Sequence, residues 1–311
     1  MTQVMADRLE QAHQTQRAIH DMLGVRLFTP PPDGFDPIKA SDRELLVHGF
    51  PARPDKDMHP ELHARWHQMV ARPLTRIEPQ FAVRTDKWHG IRQAIADDTS
   101  TNWSGSVAFA PKGDEVTWVI GQWTVPDVVA PGLGSYYCST WVGIDGDGSP
   151  DVLQAGTEQE ILNFGFFTIH QTYAWWEWYP DFEVQIANFP VSPGDVMFCA
   201  ICVHSTTEAG FYLTNLTTGA STSFTKTSPS GTTLSGNCAE WIVEAPSVNG
   251  NLAALARYGD VYFDLGIAGT ENHDLLYAGN GHDMIMVDQN NHHISTPTFE
   301  TNELVKVQYT G

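Results

Sequence analysis

The pattern of hydrophobic and polar positions changes near residue 95. Before it, Ala6 to Leu23 is helix-prone and Gly24 marks the end of that run. Thr29-Pro30-Pro31-Pro32-Asp33-Gly34 must be extended or turned, because successive prolines cannot continue a helix. Ser41-Asp-Arg-Glu44 has the form of a capping box ahead of Leu45 and Leu46. Pro51, Pro54 and Pro60 punctuate the path into a second helix, about Pro60 to Ala71. Residues 1–94 therefore read as a mainly helical segment.

Beyond Asp97–Asn102 the chain breaks into short β-favouring runs separated by Gly, Pro, Asn and Asp. Strands are predicted at Trp103–Ala108, Val116–Thr124, Tyr136–Ile144, Val152–Gln154, Phe166–Trp178, Asp195–His204 and Glu240–Val243, with others running to Glu303–Tyr309. So many strands joined by short turns, with no helices between them, predict an all-β domain over residues 95–311. Their number favours a large antiparallel β-sandwich, of the concanavalin or jelly-roll kind, over a seven-stranded immunoglobulin fold.

One stretch draws chemistry to itself. In Ser235–Pro246, alternation puts Cys238, Glu240, Ile242 and Glu244 on one face and Ala239, Trp241 and Val243 on the other. A carboxylate centred in such a strand is costly to desolvate unless it is partnered or used. Taken singly, the stretch fits a glutamate on a solvent face at least as well. Three more clusters join it: Trp141-Val-Gly-Ile-Asp-Gly-Asp147, Val152-Leu-Gln154-Ala-Gly156, and Tyr173–Asp181, in which Trp175, Glu177 and Tyr179 share a face. Aromatic residues flanking a carboxylate suit a cleft that grips peptide or sugar. Each cluster also fits core tryptophans with a surface acid.

Charge changes the picture more than composition does. Residues 1–92 hold 13 of the 17 Lys and Arg, against 12 acids, while residues 93–311 keep four bases against 25 acids. A domain so poor in bases repels nucleic acid and anionic membranes, and its self-repulsion is relieved when carboxylates protonate. No apolar run is long enough to span a membrane. Met1–Arg8 has neither the basic nor the apolar region of a signal peptide.

Three metal readings are weak. Cys199 and Cys202, three apart in a strand, point to opposite faces, and the four cysteines read as buried and free. His59, His63 and His67 share a helix face if the helix extends back to His59, with no carboxylate or cysteine completing metal coordination there, so a surface stripe that charges in acid is expected. Gly269–Asp274 and Ala278–Asp283 repeat at nine residues like a calcium-binding roll, but two copies fit a hairpin better. No metal and no cofactor is expected.

Together, Asn102-Trp-Ser-Gly105, Trp141-Val-Gly-Ile-Asp-Gly146, Leu153-Gln154-Ala-Gly156, Trp176-Glu177-Trp-Tyr-Pro180 and Ala239-Glu240-Trp-Ile-Val-Glu244 resemble, in order, the motifs of the glutamic peptidases, the eqolisin or A4-type acid proteases. The resemblance covers about two-thirds of the chain. It implies a catalytic pair at Glu240 and Gln154, a substrate cleft including Trp141, Asp145 and Glu177, polypeptide substrates, and hydrolysis in acid without a covalent intermediate. It also implies secretion and an N-terminal prosegment, here residues 1–94, acting as an intramolecular inhibitor. Two other readings remain open: a carbohydrate-binding sandwich, and a glycoside hydrolase using Glu177 and Glu240.

Overall fold

The alternating stretches beyond residue 95 form two large antiparallel sheets packed face to face. The fold is taken from a computed structural model that describes residues 3–311, with side chains from Glu10 onward. The leader reading of Met1–Arg8 rests on side chains outside those described.

The front sheet runs, neighbour to neighbour, through His282–Val287, Trp103–Phe109, Cys238–Glu244, Gly134–Ile144, Val152–Asn163, Thr168–Tyr179 and Val184–Ile186. The back sheet runs through Ala220–Thr227, Glu208–Asn215, Val196–Ser205, Val116–Thr124, Asp260–Thr270, Val305–Tyr309 and His293–Phe299, and returns to His282–Val287. The last strand thus joins both sheets along one side. Between them lies the main core, to which the Glu240 strand contributes Ala239, Trp241 and Val243, and the Gln154 strand contributes Leu153, Ala155 and Ile161.

The N-terminal segment contains helices α1 (Gln3–Leu23), α2 (Asp42–Val47) and α3 (Pro60–Val70). Gly24 follows α1 at φ +64°, and Ser41 and Glu44 complete the reciprocal capping box that starts α2. The segment does more than pack alongside. Phe81–Val83 extends the front sheet beside Val184–Ile186, and Val25–Leu27 extends the back sheet beside Ala220–Thr227. Both additions cover edges that would otherwise offer unpaired backbone groups. Phe81, 2% exposed, packs edge-on against Trp176 and Phe224 of the main core.

The four cysteines are free. Cys199 lies in the main core and Cys202 packs with Phe198 and Tyr212 on the outer face of the back sheet, as the odd spacing requires. The first copy of the nine-residue repeat turns a hairpin, Asp260–Thr270 pairing with Leu275–Tyr277, while the second forms a short 3-10 turn, Ala278–Asn280, and enters the strand His282–Val287. His59 precedes α3 at its N-cap position without a side-chain capping bond, His63 lies beside Trp66, and His67 is exposed. A cavity of about 660 Å³ lies between α3 and the outer face of the back sheet, lined by Trp66, Met69, Trp118 and Phe198. No helix among the described residues is long and apolar enough to cross a membrane.

Candidate active site

Strand register assembles the site. Glu240 is paired with Gly143, Gly143 with Gln154, and Gln154 with Glu177. Directly paired residues share a face, so the four form a row across the outer face of the front sheet. With strands about 4.8 Å apart, the backbones of Glu240 and Gln154 stand roughly 10 Å from each other. Gly143, between them, leaves the gap open: a Cβ there would meet the Trp141 ring at 2.9 Å and Gln154 Cβ at 3.3 Å.

The row is walled by aromatic residues. Trp103, Trp141, Trp175 and Ile242 form a second apolar cluster on this outer face, with Trp103 edge-on to Trp141 at 4.9 Å. Trp141 Nε1 donates to Glu244 Oε2 at 2.8 Å, which ties the aromatic wall to the Glu240 strand. Asp145 directly follows the strand that carries Gly143. Its carboxylate accepts from the backbone N–H groups of Ser235, Gly236 and Asn237 at 2.7–2.8 Å, fixing the turn that leads into the Glu240 strand.

Glu240 is fully buried. Burial pushes its carboxyl well above the usual carboxylate range, and the charges of Asp145 and Asp147 push the same way against a hydrogen bond from Cys238. Cys238 Sγ donates to Glu240 Oε1 at 2.8 Å, while Glu240 Oε2 and Gln154 Oε1 have no hydrogen-bond partner. Glu177 is likewise raised by burial, and by Glu244 and Glu183, although His89 lowers it.

Over Gln154 and Glu177 lies the chain's own segment Arg84–Arg92. Gln154 Nε2 donates to the carbonyl oxygen of His89 at 2.6 Å, and His89 N donates to Glu177 Oε2 at 2.9 Å. The His89 ring stacks on Trp175, centroids 3.6 Å apart and planes 11° from parallel. Its Nδ1 and Nε2 lie 3.0 Å from Glu244 Oε2 and Glu183 Oε2. Burial opposes the imidazolium, but Glu244 and Glu183 outweigh it and raise the His89 pKa well above its ordinary value. Lys87, 1% exposed, reaches Glu160 and lies 3.6 Å from Glu158. Arg84 approaches Glu160 at 3.4 Å, and Arg92 pairs with Asp147 at 2.9 Å. The bases concentrated in the N-terminal segment thus meet the acids of the sandwich here.

Of the five residues expected from sequence, Glu240, Gln154 and Glu177 lie in the row, Trp141 stands in the wall beside it, and Asp145 follows the end of the Gly143 strand. Lys87, His89, Glu158, Glu160 and Glu183 were not anticipated. Alternation from Gln154 does lead to Glu158 and Glu160 on the same face, a signal the sequence carried. His89, Glu158 and Glu183 offer ligand atoms within 4.8 Å of one another, a spacing open to a cation. In this arrangement His89 and Lys87 supply the positive charge.

Comparison with known proteins shows the family to which this sandwich belongs. The Peptidase A4 family profile matches residues 101–309, and the chain belongs to that family. It is similar to Aspergillopepsin-2 of Aspergillus niger, 33% identical over 187 residues, which are 54% of this chain and 64% of the relative. Scytalidopepsin B of Scytalidium lignicola is 32% identical over 158 residues, 50% of this chain and 56% of the relative. The chain therefore spans less than two thirds of either relative's length. Among solved structures, scytalido-glutamic peptidase with a peptide-based transition state analog superposes with a TM-score of 0.57 at 24% identity, covering 68% of this chain and 98% of that one. Aspergilloglutamic peptidase from Aspergillus niger gives a TM-score of 0.50 at 28% identity, covering 56% and 99%. The sandwich is the fold these proteins share.

Proposed function

We propose that this chain is an acid-acting glutamic endopeptidase in which Glu240 and Gln154 perform the chemistry. One observation carries the reading: the Gln154 carboxamide donates to a peptide carbonyl, that of His89, in the cleft that Glu240 faces across Gly143. The Glu240 carboxylate takes a proton from water as its oxygen adds to the scissile carbonyl carbon. The developing oxyanion is held by the Gln154 amide N–H, a neutral donor that acid does not disable. Protonated Glu240 then gives its proton to the leaving nitrogen as the C–N bond breaks, and no covalent intermediate forms.

Trp141 and Glu177 line the substrate path, and Asp145 holds the Glu240 strand in place. Polypeptide substrates fit the cleft because a length of polypeptide already lies in it. That length, the Arg84–Arg92 part of the N-terminal 1–94 segment, acts as an intramolecular inhibitor. While it is seated, the Gln154 amide N–H is taken by the His89 carbonyl and cannot receive a substrate, and burial holds the Glu240 carboxyl above its ordinary range. Once solvent reaches the cleft, the carboxylate form is restored. In a glycosidase using Glu177 and Glu240, Gln154 would have no task.

Digestion of an acid-denatured protein by the full-length chain, scanned from pH 2 to 6, tests the reading. Cleavage confined to the acidic side is expected. Absence of cleavage across the range would refute it.

A further inference from the structure

His89 is the residue whose carbonyl meets Gln154, so its side chain marks what the cleft accepts on the acyl side of the bond to be cut. That side chain is fully enclosed. Trp175 supplies a flat floor at 3.6 Å, and carboxyl groups stand at both edges of the ring, Glu244 at Nδ1 and Glu183 at Nε2, each at 3.0 Å. Glu158 lies behind at 3.9 Å from Nε2. A flat cation with one N–H at each end of its ring covers the Trp175 face and meets both Glu244 and Glu183. A lysine ammonium is a compact point charge and leaves the Trp175 face uncovered, whereas leucine or phenylalanine leaves buried carboxyls without partners.

We propose that Trp175, Glu183 and Glu244 form the specificity pocket of this peptidase and that it selects histidine on the acyl side of the scissile bond. The inference rests on the peptidase reading above and goes beyond it in naming the substrate. In acid a free histidine is protonated, so the preferred side chain is a cation under the conditions in which the enzyme works. Of the pocket's acids, Glu183 carries the charge. Burial alone would raise its pKa, but the His89 hydrogen bond and the charges of His89 and Lys87 hold it below the usual carboxylate value.

The test compares kcat/KM at pH 4 for peptides identical except for His, Gln, Leu or Phe at that position. A site built around hydrogen bonds to its substrate rejects analogues lacking them strongly, so histidine is expected to lead leucine by about a hundredfold or more. Glu183→Gln should collapse the His-to-Leu ratio toward one, and the wild-type comparison stands by itself if that variant does not fold. Equal cleavage of the His, Leu and Phe peptides would overturn the pocket assignment and leave the peptidase reading standing. No cleavage of any peptide, by the full-length chain or by His89→Ala, would overturn both.

Discussion

Replacing His89 by alanine should open the covered cleft. The substitution keeps the backbone hydrogen bonds to Gln154 and Glu177, because those use the carbonyl and N–H of residue 89. It removes both ring contacts, to Glu244 and Glu183, and the stack on Trp175. Charged hydrogen bonds contribute about 1.5–3 kcal/mol each and an aromatic stack about 0.5–1.5 kcal/mol. Those gross values are offset by relaxation and by protonation of the acids left behind. Breaking one side of a buried pair costs a net of about 3–5 kcal/mol, which raises the open population roughly a hundred- to a thousandfold or more. Hydrogen exchange at pH 6 across residues 84–92 reads that change directly. The expected result is loss of protection there, with the Gly134–Ile144 and Val152–Asn163 strands unchanged. Equal protection in the two proteins would show that His89 does not hold the cover, and the inhibitor account would fail with it.

Two further outcomes follow from the same contacts. Glu183 is held low, so its pairing contributes stability above its unfolded value and loses it as pH falls through the folded value. His89 is held high, so its contribution is present below its unfolded value of about 6.5 and is lost only as pH rises through the raised one. The Glu183 share of the closure should therefore fade as pH falls below the ordinary carboxylate range, while the raised Glu177 and Glu240 pull the other way; wild type and Glu183→Gln should differ in exchange at residues 84–92 at pH 6 and converge toward pH 3, and a difference independent of pH would contradict this. Asp145→Asn keeps the shape and suits the positive φ of 70° at that position, but it replaces one acceptor oxygen facing the three N–H groups of the 235–237 turn with a donor. Urea unfolding should show a loss of about 1–3 kcal/mol, and unchanged stability would remove Asp145 from its role in fixing that turn.

The sandwich was legible because alternation survives folding. A residue's parity within its strand decides its face, and the parity of Glu240, of Gln154 and of Trp175 with Glu177 put all of them on the outer face of the front sheet. Their juxtaposition was not written in parity. It depends on which strands are neighbours, and the ordered motifs of the resemblance supplied that. The cover was out of reach for a different reason. Lys87 and His89 lie in a stretch with little periodicity, and the acids they meet are 71 to 155 residues further along the chain. Nothing local singles them out; only the crowding of 13 of the 17 bases before residue 93, against 25 acids after it, hinted that the two parts attract. Asp145 was legible as a residue of the site, but its use as a backbone clamp depends on a turn that approaches from 90 residues away.

The central claim is that Glu240 and Gln154 are the catalytic pair. The most direct measurement is kcat/KM for one peptide at pH 4 in the wild type, Glu240→Gln and Gln154→Ala, with hydrogen exchange confirming that the variants are folded. Glu240→Gln, which can neither accept nor return the proton, should have no measurable activity above the uncatalysed rate. Gln154→Ala should lose about a hundred- to a thousandfold, as expected when one oxyanion donor is removed. Wild-type activity in either folded variant would contradict the assignment.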